Sequence, residues 1–165
     1  DQYLGSVYQI IAEIMAHHQK REQALKCYSE ASFYFKKAGS HDEAAISNVY
    51  AGKLLAQVRK YSEAIHLFQT AIGQFIQAGN PFEATNCHIQ IAAIYEEEKQ
   101  WQKAVETYEQ ALPLAQTTAD EILIDTIEDS LAHALEQREL TPVPPAEQAG
   151  KSGGFLNKLK GFFGG

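Results

Sequence analysis

Basic residues are scarce where this 165-residue chain has the composition to fold, and the scarcity excludes several classes of function. Three of the fourteen Lys and Arg lie among residues 151–165, so residues 1–150 set eleven against all twenty-one Asp and Glu, a net of -10 within a formal total of -7. Phosphate backbones require a basic surface, and no nucleic-acid partner is expected for such a body. Long apolar runs are missing too: no stretch reaches the roughly 18 residues that read as a membrane-crossing helix. The opening Asp1-Gln2-Tyr3 has neither a basic region nor an apolar core of signal-peptide type. It also lacks an initiator Met, which suggests a piece trimmed from a longer protein. Only two cysteines occur, Cys27 and Cys87, too few for a disulfide scaffold, so a reducing cytosol is the default compartment.

Motifs that carry chemistry are equally absent. Cys87-His88 and His17-His18 are adjacent pairs whose side chains leave a helix about 100° apart, and neither makes the i, i+4 face of a helical metal site. No Cys-x-x-Cys or His-Glu-x-x-His spacing occurs among the six histidines and two cysteines. Nothing marks a base and an orienting group for Cys87 as a nucleophile, and both cysteines read as buried small apolar residues. Gly150, Gly153 and Gly154 follow no strand and make no phosphate cradle. The expectation is a non-enzyme with no metal and no cofactor.

What the chain does contain is a period of forty. Ala12, Gly52 and Ala92 fall forty apart, as do Met15, Leu55 and Tyr95; Ala24, Ala64 and Ala104; Tyr28, Phe68 and Tyr108; and Ala31, Ala71 and Ala111. Small residues belong where two helices cross closely, and aromatics four residues on share that helical face and fill the space beside the crossing. A generic amphipathic helix explains apolar stripes but not small and large residues recurring in register. Trp101 and Phe33 also read as packing residues.

Helix boundaries repeat as well. Ser40, Asn80 and Asp120 are N-cap types, with Glu43 and Glu83 placed for a capping box and its Asn analogue. Pro81 suits a first helical position, and Gly39 and Gly79 suit left-handed helix ends. The spacing predicts helix pairs at about 3–18 with 22–38, 41–58 with 62–78, and 81–98 with 102–117. Pro113 predicts a kink or early stop in the sixth helix. A seventh, about 121–138, carries Ile122, Ile124, Ile127, Leu131 and Leu135 and fits a cap that buries the open apolar edge of a stack.

These columns resemble the tetratricopeptide repeat. That family places a small residue, a large apolar one three later, Ala nine further on, an aromatic four later and Ala three after that, the order kept by Ala92, Tyr95, Ala104, Tyr108 and Ala111 and by their counterparts in the other copies. The resemblance covers about residues 3–138. It implies an all-α, right-handed superhelical solenoid of antiparallel helix pairs, three pairs plus a capping helix, over residues 1–140. The usual repeat is 34 residues, so helices here should be longer, as in soluble attachment factors for membrane fusion, polarity scaffolds, and certain bacterial regulators and cyanobacterial proteins.

The resemblance further implies a non-catalytic adaptor that binds a peptide or helix of another protein along a concave surface lined by first helices. Carried over by position, that groove comprises Gln9, Glu13, Ala16 and His17; Val49, Lys53, Ala56 and Gln57; and Asn86, Ile89, Ala93, Glu96 and Glu97, with Val49 and Ile89 as apolar floor. A carboxylate clamp of the kind used by chaperone-tail binders is not expected, because its positions hold Gln9, Glu13, Tyr50, Asn86 and Gln90. Glu96 and Glu97 are placed either to solvate the surface or to select a basic peptide.

After Arg138 the character changes. Residues 141–154, beginning Thr141-Pro142-Val143-Pro144-Pro145, read as a linker. In residues 155–163, Phe155, Leu156, Leu159, Phe162 and Phe163 share one helical face, with Lys158 and Lys160 off it. So short a helix is marginal in water and would be ordered by what it lands on. Anionic lipid is one candidate, which would make the protein a peripheral membrane protein; a groove on a partner or another copy is the second, and folding back on its own chain the third.

Overall fold

The forty-residue register folds as seven α-helices. A computed structural model describes residues 1–141: α1 Gln2–His17, α2 Arg21–Lys37, α3 His41–Gln57, α4 Tyr61–Ala78, α5 Pro81–Glu97, α6 Trp101–Thr118 and α7 Glu121–Leu140. No strand occurs among the described residues. The helices stack in chain order as antiparallel pairs α1/α2, α3/α4 and α5/α6, with each second helix also packed on the first helix of the next pair and α7 laid against α6. Thr141 apart, the expected linker lies outside the described residues, as does the tail from Phe155 to Phe163.

Every turn from α1 to α7 uses one backbone device. Inside the pairs, Gln19, Arg59 and Lys99 take left-handed φ values of 58°, 60° and 57°; between pairs, Gly39, Gly79 and Ala119 take 77°, 74° and 55°. At the first five turns the next residue donates its N–H five residues back: Lys20 to Met15 O (2.8 Å), Ser40 to Phe35 O (2.9 Å), Lys60 to Leu55 O (3.0 Å), Asn80 to Phe75 O (2.8 Å) and Gln100 to Tyr95 O (2.7 Å). These bonds satisfy carbonyls left over at the helix end and reverse the chain within a few residues. Glycine takes this conformation freely, whereas Gln19, Arg59, Lys99 and Ala119 each carry about 1–2 kcal/mol of strain.

Two of the three expected caps form. Asn80 Oδ1 accepts from Glu83 N–H at 3.2 Å and Asp120 Oδ1 from Leu123 N–H at 3.0 Å. Ser40 departs from expectation: its hydroxyl makes no cap bond, and the capping box with Glu43 does not form. Ser40 and Asn80 share a ψ of 74°, from which the longer Asn side chain reaches the first turn and the short hydroxyl does not. The early stop expected at Pro113 does not occur, because α6 runs through it to Thr118. Proline removes only its own N–H, its ring sits on the solvent face where the helix can bend outward, and Ala111 and Ala115 on either side are fully buried.

The columns form the core. Ala12, Ala24, Ala31, Ala64, Ala71, Ala92, Ala104 and Ala111 have no solvent exposure, and Tyr28, Phe68 and Tyr108 are buried beside them. Where the second copy has Gly52, the Phe68 ring occupies the vacated space: a Cβ there would lie 3.0 Å from Phe68 Cε1. The other copies combine Ala with Tyr in these columns.

Three apolar residues are less buried than their spacing suggests. Phe33 is 59% exposed, edge-on to Tyr34 at 5.3 Å between ring centroids, because its column continues as Gly73 and Pro113 on the outer surface. Ile122 is 80% exposed at the start of α7, which instead seals the stack with Leu123, Ile127 and Ala134. Cys27 is half-buried while Cys87 is buried. Trp101 is half-buried against His133, edge-on at 6.0 Å.

Candidate protein-binding surface

The expected groove residues all lie on α1, α3 and α5, and most fall into three columns: Gln9, Val49 and Ile89; Glu13, Lys53 and Ala93; His17, Gln57 and Glu97. The first column is half-buried and the other two are exposed, the gradient a surface with an apolar floor requires. Asn86 and Glu96 are half-buried alongside them. At the α1 end a hollow of about 220 Å³ is lined by Gln2, Ser6, Gln9, Ile10, Glu13, Phe35 and Glu43. Gln9 Nε2 donates to Glu13 Oε1 at 3.3 Å on its rim.

One of these side chains is held from behind by the aromatic column. Tyr108 donates its hydroxyl to Glu96 Oε1 at 3.2 Å, and burial, with Glu96 next, pushes the phenol up to about 12. Tyr28 is likewise pushed up to about 12, by burial first and then by the negative charge of Glu13. Both phenols therefore stay protonated, and Tyr108 acts as a donor that fixes Glu96. Glu97 lies 3.6 Å from Arg59 Nη2, an exposed pair of little energetic weight that ties the second pair to the third.

Tyr50 lies beside these columns on α3, outside the residues that the resemblance places in the groove. It is partly exposed, stacks on Tyr28 at 5.7 Å between centroids, and carries Lys53 Nζ 5.9 Å above its ring. Its signal was available, since Ile10, Tyr50 and Gln90 fall forty apart one residue after the floor column.

A second hollow, of about 240 Å³, lies between α4 and α6 over α5, where Gln69, His88, Tyr95, Lys103, Glu106 and Gln110 are among its lining residues. It shares no lining residue with the groove columns. Among the described residues no three His, Cys, Asp or Glu cluster as a metal site would require. Burial pushes the Cys87 thiol up to about 12, which keeps it protonated and a poor nucleophile.

A sequence model of the family described as "Soluble NSF attachment protein, SNAP" matches residues 5–139, which span all but the ends of the described helices. The chain belongs to the SNAP family. Among solved structures, BtubC (BKLC) from P. vanneervenii is similar with a TM-score of 0.60 and 15% identity over 85% of this chain and 66% of that one. The TPR2B domain of yeast Sti1, solved in a complex with pHsp70, is similar with a TM-score of 0.62 and 20% identity over 82% of this chain and 99% of that one. At such identities the likeness is one of fold. Comparison with curated proteins gave no match. SNAP membership and the solenoid of paired helices make this a non-enzymatic protein-interaction scaffold of tetratricopeptide type.

Proposed function

We propose that the concave face of α1, α3 and α5 receives a basic peptide or amphipathic helix of a partner protein, and that the C-terminal tail adds a second attachment. The observation that carries this reading is the half-buried floor of Val49 and Ile89 beside Tyr50. Around it, Glu13, Glu96 and Glu97 outnumber the cations Lys53 and Arg59, the latter paired with Glu97. An apolar floor lets a helix dock its hydrophobic stripe, and the acidic rim then favours cations on that helix and disfavours acidic competitors. Coupling to a weakly bound tail raises avidity without either contact being strong. Capture of proteins from a lysate by the intact chain, by Glu13→Lys with Glu97→Lys, and by a chain ending at Thr141 tests this. Groove partners should be retained by the shortened chain and lost from the charge-reversed one; retention of the same proteins by both would refute the groove.

A second reading rests on the apolar and basic residues of the C-terminal tail. In it the protein is a cytoplasmic adaptor recruited to anionic membrane through Phe155, Leu156, Leu159, Phe162 and Phe163, with Lys158 and Lys160 supplying electrostatic attraction. With so few lysines the attachment would be weak and reversible. Co-sedimentation with phosphatidylserine-containing vesicles that disappears in Phe162→Ser with Phe163→Ser supports this reading, and no co-sedimentation of the intact chain removes it.

A further inference from the structure

The charge of this stack is divided unequally between its two rows of helices. Together α1, α3, α5 and α7 carry twelve Asp or Glu and two Lys or Arg, whereas α2, α4 and α6 carry five of each. The negative field therefore belongs to the concave row. α7 extends that row: it begins forty residues after α5, packs on α6 as α5 packs on α4, and sets exposed Asp129 and Glu136 in the columns of Ile89 and Glu96. Residues 151–165 have the opposite sign, with Lys151, Lys158 and Lys160 and no acid. Their apolar residues, Phe155 to Phe163, are of the kind that the floor of Val49 and Ile89 beside Tyr50 would take up.

We propose, resting on the groove reading, that residues 155–163 are the resident occupant of the concave face of their own chain, lying across α5 and α3, and that a partner protein has to displace them. Three features select this occupant. The first is charge, since the balanced row of α2, α4 and α6 offers the tail lysines no net attraction and the concave row does. The second is the place where the chain leaves the stack. Arg138 Nη1 donates to Gln102 Oε1 at 3.3 Å, which sets the last turn of α7 beside the first turn of α6, at the end of the stack where α5 finishes in Glu96 and Glu97. The third is reach. The thirteen residues 142–154 span about 40 Å when extended and about 20 Å on average as a flexible chain, and nine residues in helical form add about 14 Å.

Tethering decides between the chain's own groove and that of a second copy. A linker of this length holds the tail at an effective concentration on the order of 1 mM, far above a working concentration of protein. With a contact as weak as about 0.1 mM, the tail fills its own groove about nine-tenths of the time. A partner that takes its place frees Phe162 and Phe163, so the groove has to be filled before the tail becomes available for the second attachment.

Fluorescence anisotropy with a labelled synthetic peptide of residues 151–163 tests this on three chains: the intact one, Phe162→Ser with Phe163→Ser, and that tail variant with Glu97→Lys and Asp129→Lys added. The tail variant should bind the peptide on the order of tenfold more tightly than the intact chain, and the added charge reversals should undo that gain. Amide shifts should place the peptide at Val49, Tyr50 and Ile89, and the same amides should differ between the intact chain and the tail variant with no peptide present. Equal affinity of the intact chain and the tail variant, with the peptide on those amides, overturns self-occupancy and leaves the groove reading standing. No binding to the tail variant, or binding indifferent to the charge reversals, also overturns self-occupancy. Shifts on the outer faces of α2, α4 and α6 overturn both. A dimer in sedimentation equilibrium that is lost in the tail variant would place the tail on a second copy and overturn the proposal as well.

Discussion

Asn48 of α3 donates from Nδ2 to Oε1 of Gln74 in α4 at 2.8 Å, both residues buried in the middle of the stack. In the first copy the same two columns hold Tyr8 and Tyr34, whose rings stack at 5.6 Å and 4°. In the third they hold His88 and Leu114, and His88 Nδ1 is buried without a partner. One position across three helix pairs is thus filled by an aromatic stack, a polar pair and a mismatched pair.

The polar pair should behave as a unit. Asn48→Leu strands the Gln74 amide and should cost about 1–3 kcal/mol, whereas adding Gln74→Leu should recover most of that loss. Urea midpoints of the two single variants and the double variant check this; additive losses would show that the hydrogen bond is not the coupling.

The mismatched pair should make stability pH-dependent. Burial holds the His88 imidazole below its ordinary pKa, so the unfolded chain takes up its proton first as pH falls. Stability contributed by neutral His88 is complete above the unfolded imidazole pKa and declines as pH drops through it toward the lower folded value. Lys103 and Glu106 line the same hollow. Comparing urea midpoints at about pH 7.5 and about pH 5.5, the parent chain should lose more stability than His88→Leu.

Two helical glycines should respond in opposite directions. Gly73 has nothing within 4 Å of where a Cβ would stand, so Gly73→Ala should stabilise by about 1 kcal/mol through helix propensity. Gly52 faces the Phe68 ring, and Gly52→Val should destabilise by about 1–3 kcal/mol through overpacking. Thermal melts of both variants give the signs directly.

The turns offer a separate test of the backbone account. Ala119 sits at φ 55° where the earlier copies have Gly39 and Gly79. Ala119→Gly should raise stability by about 1 kcal/mol and Gly79→Ala, with open space around it, should lower it by a similar amount. Denaturant midpoints that move the other way would show that contacts rather than φ control these turns.

Side-chain size was the most readable part of this protein, and backbone conformation was readable at Gly39 and Gly79 but not at the non-glycine turns. Ala12, Ala24 and Tyr28 announced the crossing of α1 and α2 because close packing constrains volume, and the columns repeat that constraint without slippage. Gln19, Arg59 and Lys99 gave no such notice, since residues that prefer helix are here forced left-handed by the tightness of the turn. Pro113 did not end α6 for a related reason: the stop rule holds for an isolated helix, and burial of Ala111 and Ala115 outweighs it. The groove columns were legible as positions, and so was the column of Ile10, Tyr50 and Gln90, but the stacking of Tyr50 on Tyr28 was not.

Amide chemical-shift mapping of the intact chain, titrated with a helical peptide selected for binding to it, tests the docking face most directly. Perturbations should cluster at Gln9, Glu13, Val49, Tyr50, Lys53, Asn86 and Ile89, and the selected sequences should carry Lys or Arg beside an apolar stripe. Shifts confined to the outer faces of α2, α4 and α6, or selection of acidic peptides, would contradict a groove built from the first helix of each pair.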